Sequence, residues 1–190
     1  DPHNLEILIL GNNDLKPDWF ASVRQAPAAA FVIPTTRSLS TTINIAADKP
    51  GGPLLRGVQL YPTARGDPLL EHLPVPQDDG DVVLSASAAT ALGAVVGDSL
   101  RALVPRRIND VDEIGARKLI VRGIAPSDIV AQDVAFVTLR LLVRTEDYRD
   151  GKVPDLQSEE ISAGDLASRS YVSARLFARD LDGVAPLAGV

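Results

Sequence analysis

The chain has 190 residues, of which 45% are hydrophobic and 23% charged, and its net charge of −6 is unfavourable for nucleic-acid binding, which needs clustered Lys and Arg. The apolar fraction is typical of a globular protein and excludes disordered and collagen-like chains. The absence of cysteine excludes disulfide scaffolds, thiolate zinc sites and cysteine nucleophiles, and two histidines leave little material for a metal site or a histidine base.

The sequence also indicates a piece of a longer protein. It contains no methionine and begins at Asp1, directly before a strand-like segment. The longest unbroken apolar run, Ala28–Ile33, is far shorter than the roughly 20 residues that a membrane-spanning helix needs. No basic region precedes an apolar one, so we expect no signal peptide. A processed soluble protein is the alternative interpretation.

The first elements in chain order are predicted as β-α-β-β. Leu5–Leu10 forms an apolar strand that is expected to be largely buried and to end at the turn Gly11-Asn12-Asn13. A helix begins near Pro17, a residue suited to the first helical turn, and places Trp19, Phe20 and Val23 on one face. Two short strands follow, over residues 30–33 and 41–45.

The middle of the chain changes character after a cluster of turn residues at 48–53, which marks a candidate boundary. Leu54–Tyr61 predicts a strand, and residues 62–79 predict a long loop interrupted by prolines. A buried strand ends at Leu84, and Ser85 is placed to cap a short helix with Ala88, Ala89 and Leu92 on its apolar face.

Gly93 supplies the left-handed residue that ends this helix, and Val96-Gly97-Asp98 turns the chain into a new strand at 100–104. A charged loop is expected over Asn109–Arg117, preceded by the basic pair Arg106-Arg107 as a solvated strand end. Residues 119–124 then form a further strand.

The last third predicts mixed α/β structure without an internal repeat of fixed period. A strand at 134–137 leads into a helix over Thr138–Tyr148, and residues 152–169 are expected to form an exposed loop. Tyr171–Ala178 predicts a strand, and a final helix is expected to carry Leu181, Val184 and Leu187 on one face.

Three groups of residues could carry chemistry. Ser85 follows a strand and opens a helix, where a hydrolase nucleophile lies, but its neighbours do not form the Gly-x-Ser-x-Gly motif and helix capping is the competing role. His72 beside Glu71 is interpreted as a solvated loop residue. Asp78, Asp79 and Asp81 could attract a cation, although an exposed hairpin turn also explains them. No Gly-x-x-x-x-Gly-Lys-Ser/Thr phosphate loop is present.

The segment Val82–Leu100 carries a family resemblance. A strand, the cap residue Ser85, a helix ending in Leu92-Gly93 and the turn Val96-Gly97-Asp98 resemble the periplasmic core domain of MacB-like and FtsX-like ABC transporter permeases. The opening β-α-β pattern and the later strands follow the order used in that family. The final strand that the family places before its second transmembrane helix has no counterpart in this sequence.

The resemblance implies an α+β fold in two parts. Residues 1–47 and 131–190, from both chain ends, are expected to form a βαβ-containing, porter-like subdomain, and residues 48–130 an inserted, mainly β subdomain. It further implies that Ser85, Leu92, Gly93, Val96, Gly97 and Asp98 have structural roles, with no catalytic, cofactor-binding or metal-binding residue.

The resemblance implies the extracytoplasmic domain of a permease in the bacterial inner membrane, held between transmembrane helices on the periplasmic or extracellular side. Such a domain transmits conformational change and contacts cargo or a periplasmic partner, while a cognate ATPase subunit that this domain does not touch hydrolyses ATP. The permease is expected to pair as a homodimer or with a second permease. A free-standing periplasmic ligand-binding module and a soluble hydrolase remain the alternatives.

Overall fold

A computed structural model describes residues 5–37, 41–157 and 161–188. Within these ranges the strands are β1 (Glu6–Leu15), β2 (Ala29–Thr35), β3 (Thr41–Ala47), β4 (Leu54–Thr63), β5 (Asp81–Ser85), β6 (Ser99–Ile108), β7 (Val111–Ala125), β8 (Val134–Thr138) and β9 (Tyr171–Ala178). The α-helices are α1 (Pro17–Gln25), α2 (Ala86–Leu92), α3 (Leu139–Arg149), α4 (Ala163–Ser168) and α5 (Val184–Ala188). A 3₁₀ turn at Pro68–Leu70 lies between β4 and β5.

The strands form two units. Six of them close into a barrel in the order β3-β4-β8-β5-β7-β6, and the other three form a small sheet in the order β1-β9-β2. In the small sheet β9 is central and pairs antiparallel with both neighbours, so β1 and β2 are the edge strands. The helix α1 that joins β1 to β2 packs on this sheet through Phe20 and Val23, together with Leu187 of α5.

The predicted fold class is therefore wrong. The structure is dominated by strands around a closed six-stranded barrel, and it is not an α+β fold with a βαβ-containing subdomain. Although α1 links two strands that run in the same direction, β9 inserts between them and makes every hydrogen-bonded pair of the sheet antiparallel. The strands β3 and β8 belong to the barrel, because its closure requires their hydrogen bonds.

The barrel has an internal twofold relation in its topology, which the sequence did not reveal. The order β-β-β-α occurs twice, as β3-β4-β5-α2 and as β6-β7-β8-α3. The antiparallel pair β3–β4 corresponds to β6–β7, and the parallel pair β4–β8 corresponds to β7–β5. The two remaining pairs, β5–β8 and β3–β6, each join one half to the other.

Both halves fill the barrel in the same way. Each half contributes seven apolar side chains, at alternating strand positions, to one buried cluster. The first half provides Ile43, Ile45, Ala47, Val58, Leu60, Val82 and Leu84, and the second provides Leu100, Ala102, Val104, Leu119, Val121, Ala135 and Val137. The period-two pattern of these strands points one face inward. The outer faces of β5 and β8 pack against the small sheet through Val83, Phe136 and Phe177, so these two short strands are buried on both faces.

Three local predictions also differ from the structure. The strand β1 continues through the expected turn to Leu15, and Leu8 is 54% exposed because β1 lies at the sheet edge. The expected charged loop is instead a two-residue turn, Asn109-Asp110, at the end of the β6–β7 hairpin. Both residues have positive φ (49° and 62°), as a type I′ hairpin turn requires. The expected loop at 152–169 contains α4, and Leu181 lies outside α5 and is exposed.

Candidate functional site

The predicted capping role of Ser85 is confirmed. Its Oγ accepts a hydrogen bond from the Ala88 backbone N–H at 3.3 Å and another from Val134 N–H at 3.0 Å, and the residue is fully buried. The Ser87 hydroxyl lies 3.1 Å away. These contacts join the end of β5 to the start of β8, so the Ser85 hydroxyl has a structural role in the barrel.

The glycines of the motif have the predicted conformations. Gly93 ends α2 with φ +58°, and Gly97 has φ +95° in the next turn. The Asp98 carboxylate accepts from Val95 N–H at 3.0 Å, and Gly97 N–H donates to the Val121 carbonyl at 2.8 Å. The turn therefore docks on β7, while the Val96 side chain stays exposed. Leu92 is buried in the barrel cluster.

The acidic residues before β5 do not form the exposed hairpin turn that the sequence indicated. Asp79 and Asp81 are both buried, whereas Asp78 is exposed. Asp79 accepts from the Thr138 hydroxyl at 2.6 Å and from Arg140 Nε at 3.1 Å. Asp79 thus supports the residue that caps α3, and Thr138 occupies in its half of the barrel the place that Ser85 occupies in the other.

Asp81 has a separate set of partners. Arg122 Nε donates to its carboxylate at 2.6 Å, and the backbone N–H groups of Gln77 and Asp78 donate as well. Burial alone would raise the pKa of Asp81, but these hydrogen bonds, the one from Arg122 above all, hold its pKa below the ordinary value. Across the described ranges no group of three or more His, Asp or Glu side chains could hold a metal ion.

The remaining candidates are dispersed. His72 and Glu71 are exposed in the loop after the 3₁₀ turn, and His3 lies outside the described residues. Arg107 is exposed, but Arg106 is not a solvated strand end. Its guanidinium stacks 3.9 Å from the ring centre of Tyr148 and donates to the carbonyls of Tyr148 and Val153, which ties the hairpin to the end of α3.

The most concentrated polar chemistry lies where the small sheet meets the barrel. Arg175 of β9 is 4% exposed, and its Nε donates to Glu6 of β1 at 2.9 Å. Its Nη1 donates to the Pro62 carbonyl at 2.9 Å and to the Asp67 carboxylate at 3.4 Å, both in the barrel unit. We name Glu6, Arg175, Asp67 and the Pro62 carbonyl the Arg175 clamp.

The Arg175 clamp places charged groups in a buried environment. The Asp67 side chain is fully buried and also accepts from the Thr63 hydroxyl and the Leu69 N–H. The Arg175 guanidinium lies 5.1 Å from the ring centre of Tyr61, yet its buried Nη2 has no hydrogen-bond partner among the described residues. Burial raises the pKa of Tyr61, Glu6 adds to this rise and Arg175 opposes it. A buried charge with incomplete partners makes the clamp sensitive to small changes in position.

The helix α3 forms the second connection between the two units. It is buried over the eight residues Leu141–Tyr148, because the barrel covers one side and the small sheet the other. Leu141 and Leu142 belong to the barrel cluster, and Val143 to the cluster under α1. A helix that is buried all round needs partners for each of its charged side chains.

Two acidic residues of α3 find these partners in the chain segments that flank the small sheet. Glu146 pairs with Arg37, just after β2, and accepts from the Thr41 hydroxyl at the start of β3. Asp147 accepts from both terminal guanidinium nitrogens of Arg169, just before β9, from Nη2 at 2.7 Å and from Nη1 at 3.2 Å. The ion pairs of α3 and the Arg175 clamp therefore fasten the sheet to the barrel at separate places.

Sequence reasoning missed this junction. The signal for Arg175 was present as the single charged residue of a largely apolar strand, and the signal for α3 was the presence of charged residues around a predicted helix. Asp67 gave no such signal, because it lies in a region predicted only as a loop.

The start of the first described strand lies beside the end of the last one. Glu6, at the start of β1, pairs with Phe177, near the end of β9. Arg175 of β9 is hydrogen-bonded both to Glu6 of β1 and to the Pro62 carbonyl of the barrel.

None of the helices in the described ranges has the length and hydropathy needed to span a bilayer. No protein-family model matches this chain, and no curated protein matches it either.

Proposed function

We propose that this chain is the extracytoplasmic domain of a MacB-like or FtsX-like ABC transporter permease, on the periplasmic or extracellular side of a bacterial inner membrane. The observation that carries the proposal is the antiparallel pairing of β1 with β9, which brings Glu6 next to Phe177. A domain held between two consecutive transmembrane helices needs its entering and leaving strands at one place. The motif resemblance at Val82–Leu100 supports the same assignment.

In this role the domain relays movement. A shift of the paired strands β1 and β9 moves Arg175 relative to Asp67, and a shift of the segments around β2 and β9 acts on α3 through Arg37 and Arg169. Because the barrel is closed and densely filled, it moves as a unit when its outer wall is displaced. ATP hydrolysis belongs to the cognate ATPase subunit, and the domain contacts cargo or a periplasmic partner. The permease acts as a homodimer or with a second permease.

These 190 residues contain no cysteine, so a cysteine introduced into them can report where the domain lies, once any cysteine elsewhere in the full-length protein is replaced. Arg107→Cys, on the exposed end of the β6–β7 hairpin, is introduced into the protein as it occurs in its bacterium. A membrane-impermeant maleimide should label it in intact cells with a permeabilised outer membrane. Val143→Cys, 1% exposed, is the matched control and should react only after denaturation. Labelling of Arg107→Cys only after cell lysis would refute the proposed location.

A second measurement tests the relay. A fluorophore attached to Arg107→Cys in membrane vesicles should change its emission when ATP is added and return when ATP is consumed. If the emission does not change on addition of ATP to a transport-competent preparation, the proposed relay is refuted, but the proposed location is not.

A free-standing periplasmic binding module is the second candidate, because an open groove lies beside β2. Alkaline extraction of membranes separates the two, since a free-standing module is released and a permease domain is retained.

A further inference from the structure

An open groove of about 600 Å³ lies between the small sheet and the barrel. One wall is Ala30–Pro34 of β2, and the opposite wall is formed by Thr63–Arg65 after β4 and by Thr138–Arg140 at the start of α3. Arg24 of α1 and Leu166 of α4 also line it. We name this feature the β2 groove.

The β2 groove follows an unpaired strand edge. In the described part of the chain β2 has one hydrogen-bonded neighbour, β9, so its other edge carries backbone groups without a strand partner. Successive side chains of a strand point to opposite faces. Five consecutive residues of β2 line the groove, which is the pattern expected when a groove follows the strand edge rather than one face. Ile33 and Pro34 are buried and Pro34 has no N–H, so a further strand would make its backbone hydrogen bonds mainly at the more exposed start of this edge, around Ala30 and Phe31.

The charge of the β2 groove is positive in a chain whose net charge is −6. Three arginines line it, Arg24, Arg65 and Arg140, and none of the lining residues is acidic. Arg140 is paired with the buried carboxylate of Asp79, so the net positive charge comes from Arg24 and Arg65. Arg24 and Arg65 are exposed, and the described residues provide neither with a carboxylate partner. The positive end of the α3 dipole, at Thr138, adds to this potential.

The β2 groove also has apolar lining residues, among them Phe31, Ile33, Leu139 and Leu166. A strand edge beside apolar and cationic side chains is complementary to an extended segment in which apolar and acidic residues alternate. Five residues of such a segment span about 17 Å, which matches the length of Ala30–Pro34.

We propose that the β2 groove binds an extended acidic segment of a partner protein, which adds to β2 as a fourth strand of the small sheet. Backbone hydrogen bonds to β2 provide affinity, and the arginines select acidic side chains. This inference deepens the partner contact of the proposed function and depends on it for the role of that partner. The binding itself is a property of this chain in solution.

The probes are fluorescein-labelled peptides, measured by fluorescence anisotropy with the 190-residue chain. One peptide alternates valine with glutamate, a second alternates valine with lysine, and a third is the acidic peptide with N-methyl groups on alternate backbone nitrogens. We expect the acidic peptide to bind at 50 mM salt and at least tenfold more weakly at 500 mM, because the charges are screened. We expect at least tenfold weaker binding of the lysine and N-methyl peptides.

Two variants locate the binding. Arg65→Glu should weaken binding of the acidic peptide at least tenfold. Arg56→Glu makes the same charge change at the opposite end of β4, on an exposed residue outside the groove, and should leave the affinity within twofold. Circular dichroism melting of both variants shows that they are folded. Binding should also slow hydrogen exchange of β2 backbone amides.

The proposal is overturned if the acidic peptide does not bind, if the lysine or N-methyl peptide binds equally well, or if Arg56→Glu weakens binding as much as Arg65→Glu. Equal competition by inorganic polyphosphate and by unlabelled acidic peptide would also overturn it, because a general anion site needs no strand edge. These measurements use no membrane. If the acidic peptide does not bind while Arg107→Cys is labelled in intact cells, the groove proposal alone is refuted.

Discussion

Asp67→Asn is the sharpest test of the Arg175 clamp. The substitution keeps the shape of the side chain and removes the one fully buried carboxylate that faces Arg175. Glu6 remains as the partner of Nε, but the Glu6 side chain is 25% exposed and water weakens its attraction. The Asn amide group also adds donors where Asp67 now accepts from Thr63 and Leu69.

The magnitude follows from this geometry. Removing one partner of a buried ion pair costs about 3–5 kcal/mol because the other charge stays buried without compensation. Glu6 and the Pro62 carbonyl keep part of the compensation for Arg175, so we expect a loss of about 3 kcal/mol in the free energy of unfolding. For a domain of this size this corresponds to a fall of about 6–12 °C in Tm.

The assay is urea unfolding of a double-mutant cycle made of Asp67→Asn, Arg175→Met and the double variant. Because Arg175→Met removes the buried charge, Asp67→Asn should cost at least about 1.5 kcal/mol less in that background. Asp112→Asn is the control, since Asp112 is 81% exposed and pairs with Arg107 at 3.7 Å, and it should cost less than about 0.5 kcal/mol. A loss below about 1 kcal/mol for Asp67→Asn, or strict additivity in the cycle, would refute the reasoning.

Three further predictions concern packing, backbone strain and pH. A Cβ at Gly115 would lie 2.7 Å from the buried Tyr148 ring, so Gly115→Ala should lower the free energy of unfolding in urea by about 1–3 kcal/mol. Gly164→Ala, at an exposed position of α4, is the control and should not destabilise the protein. Equal losses of unfolding free energy in the two variants would contradict this prediction. A Cβ at Gly93 would meet no atom within 4 Å, but the residue must keep φ +58°, so Gly93→Val should cost about 1–2 kcal/mol in melting experiments and leave transport by the surviving protein intact. An unchanged Tm together with lost transport would show that Gly93 belongs to a functional surface instead. The pKa of Asp81 is lowered on folding, so its carboxylate stabilises the fold above the ordinary value of 3.8, and this contribution is lost as pH falls through the lower folded pKa. The Tm difference between the wild type and Asp81→Asn should therefore be largest at neutral pH and disappear in strong acid; a difference that grows on acidification would contradict the assignment.

Local signals in the sequence were sufficient for most helices and strands. The cap at Ser85 and the left-handed Gly93 depend on residues within one turn of α2, so the sequence predicts both correctly. The strand at Tyr171–Ala178 has the bounds that its β-rich composition indicates. The two-residue turn at Asn109-Asp110 was missed because the charged residues after it were assigned to a loop, although they continue the hairpin as β7.

The arrangement of the strands could not be predicted in the same way. Barrel closure depends on pairings such as Thr63 with Thr138 and Ser85 with Ala125, which join residues 40 or more positions apart. The alternating pattern of a strand predicts which face is buried but not which strand lies beside it. The two β-β-β-α halves share topology and buried positions but little residue identity, so the repeat is invisible to a search for a fixed period.

The polar residues of the junction show why the candidate site had to come from the structure. A buried arginine or aspartate is tolerated only where its partners converge, and the partners of Arg175 come from β1, from the end of β4 and from the loop after β4. Each of these segments looks ordinary alone, since Glu6 resembles an exposed edge residue and Asp67 a turn residue before a proline. The functional argument depends on their meeting. Arg175 joins strands β1 and β9 to the barrel through hydrogen bonds to both units, in addition to the apolar packing of Phe177 on Val83 and Phe136. The double-mutant cycle measures the energetic coupling of Arg175 with Asp67 directly.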